Sequence, residues 1–211
     1  MNRLFILILL VVASVSANGA TPAEGPVILV FGDSISAGYG LANVEQGWVA
    51  LLQTRLKTQE YGYQVVNASV SGETSAGGLA RLPRALTLHQ PDIVILELGA
   101  NDGLRALPVA QMRANLKQMV DLSMAARAKV LLLGMRMPPN YGDRYTEGYT
   151  AAFANAAHHQ RVTLLPFFLE GVAGNPRLIQ PDGLHPNEQG QPLLLDNVWT
   201  GLQPLLRAKG G

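Results

Sequence analysis

The chain alternates apolar runs with longer amphipathic stretches, and this alternation constrains its fold more than any other feature. Five runs are rich in apolar residues without strict alternation, so they predict strands covered on both faces. Strands that alternate with helices form parallel sheets with crossover helices. We therefore predict an α/β fold: a three-layer sandwich around a five-stranded parallel sheet with flavodoxin-like strand order. The predicted strands are residues 26–31, 63–69, 92–99, 128–135 and 161–167, and the predicted helices are residues 47–59, 75–90, 108–128, 143–160 and 186–206.

The first 20 residues have the three-part pattern of a secretory signal peptide. Arg3 supplies a positive charge, residues 4–13 are an unbroken apolar run, and small residues follow. We predict cleavage near residue 17 or 20, which leaves residues 21–211 as a single domain in the periplasm or outside the cell. A retained membrane anchor is less favoured, because a span needs roughly 20 apolar residues.

Composition and charge exclude several classes of function. The chain has 16 basic and 15 acidic residues and no basic run, whereas a nucleic-acid binder shows a basic patch or stripe. The absence of cysteine excludes a disulfide scaffold, a cysteine nucleophile and a thiolate metal site. The four histidines form no H-E-x-x-H motif, so we expect neither a metal nor a cofactor.

Polar residues follow the predicted strands at the carboxyl edge of the sheet, where open parallel sheets bind their ligands. Ser34 follows the first strand, Gly72 lies in the loop after the second, and Asn101 follows the third. Asp182 and His185 end the long loop after the fifth strand. A hydroxyl, a flexible glycine turn, an amide and an acid–histidine pair are the parts that a serine hydrolase needs.

Four of these residues also have a purely structural explanation, which for His185 is an ordinary place on the surface. Asp182 can cap the following helix, Asn101 begins an Asn-Asp-Gly turn, and Gly72 suits a left-handed turn. Asp33 is expected to accept hydrogen bonds from nearby backbone N–H groups. The segment around Ser34 matches neither a phosphate-binding loop nor the G-x-S-x-G elbow of the α/β-hydrolases.

Four segments together resemble the motif blocks of the GDSL-type, or SGNH, serine hydrolases. They are GDSISAG at 32–38, NASVSGET at 67–74, GANDG at 99–103 and DGLHP at 182–186. The likeness covers essentially the whole chain after the predicted signal peptide. It is closest to the bacterial periplasmic subgroup of acyl-CoA thioesterase I, lysophospholipase L1 and arylesterases. One departure is Ile35, where the family name implies leucine; the two side chains have similar volume, so we expect only a packing adjustment.

The resemblance implies the SGNH-hydrolase fold and a role for each residue. Ser34 would be the nucleophile, His185 the base, and Asp182 the group that orients the base. The backbone N–H groups of Ser34 and Gly72, with the side chain of Asn101, would form the oxyanion hole. The implied activity is hydrolysis of carboxylic esters and thioesters through an acyl-serine intermediate. The implied substrates are acyl-CoA, lysophospholipids and aryl or short- to medium-chain acyl esters.

The expected partners are therefore small acyl substrates, with no nucleic acid and no stable membrane anchor after processing, and we expect a monomer. Apolar residues on loops beside the site are candidates for an acyl pocket, although buried apolar residues need no functional explanation. These candidates are Leu79, Leu104, Leu107, Met137 and Pro138, with Leu82 beside them.

Two alternative functions stay open at this point. One is a carbohydrate O-acetylesterase on the same fold, which an aromatic content of 6% does not favour. The other is a periplasmic binding module that has lost the chemistry, which the intact set of polar residues argues against.

Overall fold

The computed structural model describes residues 25–157 and 159–207, apart from the side chain of Pro139. The predicted signal peptide, residues 1–20, and its two candidate cleavage positions lie outside the described residues. Within the described part of the chain, no helix is both long enough and apolar enough to cross a membrane.

Five parallel strands form one sheet in the order β2-β1-β3-β4-β5, which confirms the predicted strand order. Every residue of the neighbouring strands β1 and β3 is buried, because helices cover both faces of the sheet. This burial explains the apolar side chains of the two strands, to which Glu97 at the end of β3 is the exception. The strands are β1 Val27–Gly32, β2 Gln64–Asn67, β3 Ile93–Glu97, β4 Lys129–Leu133 and β5 Val162–Leu165.

All five predicted helices are present, and two further helices of about one turn each follow β1 and β3. The last predicted helix begins at Gln191 and not at residue 186, because Asn187 Oδ1 accepts from the N–H groups of Gln189 and Gly190 in a turn before it. The helices are α1 Ser34–Ala37, α2 Trp48–Thr58, α3 Ser75–His89, α4 Ala100–Leu104, α5 Val109–Ala125, α6 Asp143–Ala156 and α7 Gln191–Leu202. Short 3-10 turns occupy Val44–Gln46, Pro139–Tyr141 and Gln203–Leu205.

The helices divide into two groups: α2 contacts α7 in one group, and α5 contacts both α3 and α6 in the other. Large side chains fill the space between the helices and the sheet. The Trp48 ring of α2, for example, packs edge-on against Phe168, with the ring centres 5.6 Å apart and both side chains fully buried. Burial of such apolar surface is the dominant favourable term in folding, and it holds the strand ends in fixed positions.

Candidate active site

Strand β1 delivers Ser34 directly to the carboxyl edge of the sheet, as the first residue of α1. The Asp33 carboxylate caps this short helix by accepting from the Ile35 N–H at 3.1 Å, as predicted from the sequence. Gly38, with φ of +76°, ends the helix in a left-handed conformation that glycine adopts without strain. Because Ser34 is in the first turn, no helical hydrogen bond uses its backbone N–H.

A chain of hydrogen bonds joins Ser34, His185 and Asp182, although the first two lie 151 residues apart. The distance from Ser34 Oγ to His185 Nε2 is 2.9 Å, and that from His185 Nδ1 to Asp182 Oδ2 is 2.6 Å. A carboxylate only accepts, so Asp182 favours the tautomer with the proton on Nδ1. His185 Nε2 is then free to accept the proton of the Ser34 hydroxyl.

The two oxygens of the Asp182 carboxylate have different partners: Oδ1 accepts from backbone N–H groups, and Oδ2 contacts the histidine ring. Partial burial raises its pKa, but hydrogen bonds from the backbone N–H groups of His185 and Leu184 and from the His185 ring outweigh that effect. The pKa of Asp182 is thereby lowered to about 2, and the side chain stays ionised over the working range of most enzymes. Asp182 does not cap the following helix, which begins only at Gln191; it stabilises a turn and also contacts the histidine ring.

The ring of Tyr39 lies against the histidine, with the two ring centres 4.7 Å apart. Gln180 ties the loop of Tyr39 to the loop of His185, because its Nε2 donates to the carbonyls of Tyr39 at 2.8 Å and Pro186 at 3.1 Å. The ring of His185 is therefore held by packing as well as by Asp182.

The three predicted oxyanion donors, on Ser34, Gly72 and Asn101, line the same cleft as His185. Gly72 has a φ of +78°, a left-handed conformation that favours glycine. Asn101 Nδ2 donates to the Glu73 carbonyl at 3.0 Å and to Asp33 Oδ2 at 3.2 Å. Both N–H groups of the Asn101 amide are therefore used. An oxyanion that develops in the cleft would compete with the longer hydrogen bond, the one to Asp33.

A third carboxylate, Glu97 of β3, lies fully buried beneath the Ser34 turn. Its Oε2 accepts from the Ser36 hydroxyl at 2.6 Å and from the Asp33 N–H at 3.2 Å. Burial, together with the charge of Asp33, holds the pKa of Glu97 well above its usual range. Burial also raises the pKa of Asp33 to about 6, although the hydrogen bond from the Ile35 N–H and the charge of His185 oppose this.

The cleft has a volume of about 430 Å³ and a largely apolar wall beyond the polar residues. Of the predicted acyl-pocket residues, Leu104, Met137 and Pro138 line it. The loop after β5 supplies apolar residues that the sequence reasoning missed, because that loop has no helical or strand periodicity to show which side chains face inward. These residues are Phe167, Leu169, Ala173, Ile179 and Leu184.

The structure places three of the acyl-pocket candidates away from the cleft. Leu82 is fully buried in the core, and Leu79 on the same helix packs against that core. Leu107 is 37% exposed on the segment after α4, outside the cleft wall. These residues were chosen because they lie on loops beside the predicted site. Position in the sequence does not show whether a side chain faces the cleft, the core or the solvent.

Comparison with known proteins gives a consistent result. Residues 30–193 match the GDSL-like Lipase/Acylhydrolase family. The chain is 53% identical to the esterase TesA of Pseudomonas aeruginosa over 184 residues, which cover 87% of this chain and 91% of that protein. A crystal structure of TesA superimposes with a TM-score of 0.83 and covers 85% of this chain and 99% of that one.

Two further relatives carry related names. The arylesterase of Vibrio mimicus is 41% identical over 94% of this chain and 96% of its own. The thioesterase 1/protease 1/lysophospholipase L1 of Escherichia coli K12 is 44% identical over 87% of this chain and 86% of its own. The matched region includes the segments that carry Ser34, Gly72, Asn101, Asp182 and His185. The chain thus belongs to the GDSL-like lipase/acylhydrolase family.

Proposed function

We propose that the protein is a serine esterase that hydrolyses carboxylic esters and thioesters through an acyl-serine intermediate. The observation that carries the proposal is the continuous hydrogen-bonded path from Ser34 through His185 to Asp182. Such a path lets a histidine remove the hydroxyl proton while a carboxylate stabilises the imidazolium that forms.

The reaction proceeds in two halves. Ser34 Oγ attacks the carbonyl carbon as its proton moves to His185 Nε2, which gives a tetrahedral oxyanion. His185 then returns the proton to the leaving alcohol or thiol as its bond to carbon breaks, which leaves the acyl group on Ser34. A water molecule repeats the attack with His185 as base, and collapse of the second oxyanion releases the carboxylic acid and the free Ser34.

The oxyanion would be held by the N–H groups of Ser34 and Gly72 and by Asn101 Nδ2. Donors aimed at the charge that develops in the transition state commonly contribute the largest single term to catalysis. Asn101 would exchange its 3.2 Å bond to Asp33 for a bond to the oxyanion, while its 3.0 Å bond to Glu73 keeps the amide in place.

The substrates that we propose are aryl and short- to medium-chain acyl esters, acyl-CoA and lysophospholipids. The apolar wall of the cleft supports an acyl chain as the part that is bound, with Leu104, Met137 and Ile179 among the residues beside it. The names of the three relatives cover an esterase, an arylesterase and a thioesterase that is also a lysophospholipase.

A substrate panel tests this proposal. Purified protein and its Ser34→Ala variant would be assayed with p-nitrophenyl esters, acyl-CoA, a lysophospholipid and an acetylated sugar. We expect turnover of the esters and thioesters by the parent protein only. Turnover of the acetylated sugar alone would favour the O-acetylesterase alternative, and turnover by the Ser34→Ala variant would refute the serine mechanism.

We further propose that the chain is exported, that processing near residue 17 or 20 leaves residues 21–211 as one domain, and that this domain is a monomer in the periplasm or the medium. The N-terminal sequence pattern supports the export. Cell fractionation, N-terminal sequencing of the product and its mass in solution test these three statements separately. An unprocessed N-terminus on exported protein would refute cleavage.

A further inference from the structure

Two of the proposed oxyanion donors lie on different segments of the chain, so their separation has to be fixed by contacts between those segments. Gly72 is in the turn between β2 and α3, whereas Asn101 is in α4 after β3. From the α4 side, Asn101 Nδ2 donates to the Glu73 carbonyl at 3.0 Å, and Arg105 Nη2 donates to the Gly72 carbonyl at 3.0 Å. The first contact is part-buried and the second is exposed, so water competes for these hydrogen bonds.

A buried contact between the same two segments joins Asp102, the residue after Asn101 in α4, to Ser75, the first residue of α3. Its Oδ1 accepts from the Ser75 hydroxyl at 2.6 Å, and its Oδ2 accepts from the Ser75 N–H at 2.8 Å. Ser75 is fully buried and Asp102 is 4% exposed, so water does not compete for these bonds. Hydrogen bonds to an ionised acceptor are shorter and stronger than neutral ones.

The contact extends into the adjoining helix. Asn115 of α5 donates from Nδ2 to the Ser75 hydroxyl at 3.0 Å and is 3% exposed. Gln111, one turn earlier, donates from Nε2 to Asn115 Oδ1 at 2.9 Å. Ser75 therefore has a partner for both its proton and its oxygen, and a fully satisfied buried network of this kind allows little displacement.

Capping of α3 does not by itself explain this contact. Thr74 is already the capping residue of α3 and accepts from the Gly77 N–H at 3.3 Å. Asp102 of α4 adds two hydrogen bonds to Ser75, the residue that follows the cap. These two hydrogen bonds fix the position of the turn that carries Gly72 relative to the helix that carries Asn101.

We infer that Asp102 is a positioning residue, which acts through Ser75 to fix the distance between the oxyanion donors on Gly72 and Asn101. This inference rests on the proposed function, since it concerns the same oxyanion hole. If Asp102 acts in this way, its loss should slow the chemical step and leave substrate binding nearly unchanged. A shift of about 1 Å in a catalytic group can cost about 100-fold in rate.

The test compares Asp102→Asn and Ser75→Ala with the parent protein. Asp102→Asn keeps the shape but places an NH₂ group against a Ser75 donor; Ser75→Ala removes the hydroxyl and keeps the N–H bond. The measurements are kcat and KM with a p-nitrophenyl ester, the thermal unfolding midpoint, and the inhibition constant of an alkylboronic acid. The boronic acid bonds to a serine oxygen as a tetrahedral anion, so its affinity follows the oxyanion hole.

A matched control is Gln53→Leu, at a site outside the cleft. Gln53 also joins two elements through two backbone bonds, because its Nε2 donates to the Tyr63 carbonyl at 3.2 Å and its Oε1 accepts from the Val65 N–H at 2.8 Å. We expect this variant to lose thermal stability with kcat unchanged. It shows what the loss of a tertiary contact does when no oxyanion donor depends on it.

We expect Asp102→Asn and Ser75→Ala each to lower kcat by about 10- to 100-fold with little change in KM, and to weaken boronic acid binding in parallel. The double variant should lose little more than the worse single variant, because one contact is removed in each. If both single variants keep kcat within twofold of the parent, or if KM alone changes, the inference is wrong. Ser75→Ala decides the question if Asp102→Asn does not fold. Failure of the proposed function itself would appear separately, as activity that survives Ser34→Ala.

Discussion

Substitution of Asp33 by asparagine should change how the stability of the protein depends on pH. Asp33 is fully buried, and burial raises its pKa from 3.8 to about 6 against the opposing effects of the Ile35 N–H and the charge of His185. Below pH 3.8 the carboxyl is protonated in both the folded and the unfolded chain. Above about pH 6 it is ionised in both.

Between these two values the folded protein holds a proton that the unfolded chain has lost, so the free energy of unfolding falls as the pH rises. A pKa raised from 3.8 to about 6 corresponds to a loss of about 3 kcal/mol across this window. An asparagine side chain does not titrate, so the Asp33→Asn variant does not lose this stability as the pH rises. Carboxyls that do not interact with Asp33 cancel when the two unfolding free energies are subtracted, whereas Glu97 does not cancel, because the charge of Asp33 contributes to its raised pKa.

Urea unfolding of both proteins, followed by tryptophan fluorescence from about pH 3.5 to about pH 7, measures the difference directly. Relative to the variant, the parent should become less stable by about 3 kcal/mol as the pH rises through this range. The neighbouring Glu97 also has a raised pKa, so the comparison should be repeated in a Glu97→Gln background. The reasoning is refuted if the difference in unfolding free energy between the two proteins does not change with pH, or if the parent becomes more stable relative to the variant as the pH rises.

Two further predictions concern activity. In Asp182→Asn the backbone N–H groups of Leu184 and His185 hold the one remaining oxygen, so the NH₂ group faces His185 Nδ1 and favours the wrong tautomer. The kcat with a p-nitrophenyl ester should therefore fall by about 10⁴-fold while the circular dichroism spectrum is retained, and a loss below tenfold would contradict the role of Asp182. Leu104→Trp should shift the preferred acyl chain to a shorter length, because Leu104 lines the cleft. Leu107→Trp is the matched control, since Leu107 is also 37% exposed but lies outside the cleft wall; equal chain-length profiles for the two variants would contradict the assignment of the acyl site.

The strands and the site residues were predictable from the sequence for one physical reason. A strand covered on both faces has to be apolar, so β1 and β3 stand out, and the polar residues that follow them have to lie at the edge of the sheet. This pattern places Ser34 and Asn101 at one edge, whereas His185 ends the long loop after β5 and reaches Ser34 through the fold of that loop. The quoted motif blocks then give each residue an implied role.

Other features were not predictable because they depend on contacts between distant residues. The one-turn helices α1 and α4 are too short for a periodic pattern. Glu97 gives no sign in the sequence that it is buried against Asp33 and Ser36, which lie more than 60 residues earlier. The apolar wall from the loop after β5 was missed for the same reason, since only the folded loop turns Ile179 toward the cleft.

The central claim is that Ser34 is the nucleophile and that His185 activates it. The most direct measurement is mass spectrometry of the protein after reaction with an alkylphosphonofluoridate, which forms a stable phosphonyl ester with an activated serine and releases fluoride. We predict one adduct, on the peptide that contains Ser34, that is absent from Ser34→Ala and forms much more slowly in His185→Ala. An adduct on another residue, or a rate in His185→Ala equal to that of the parent protein, would contradict the claim.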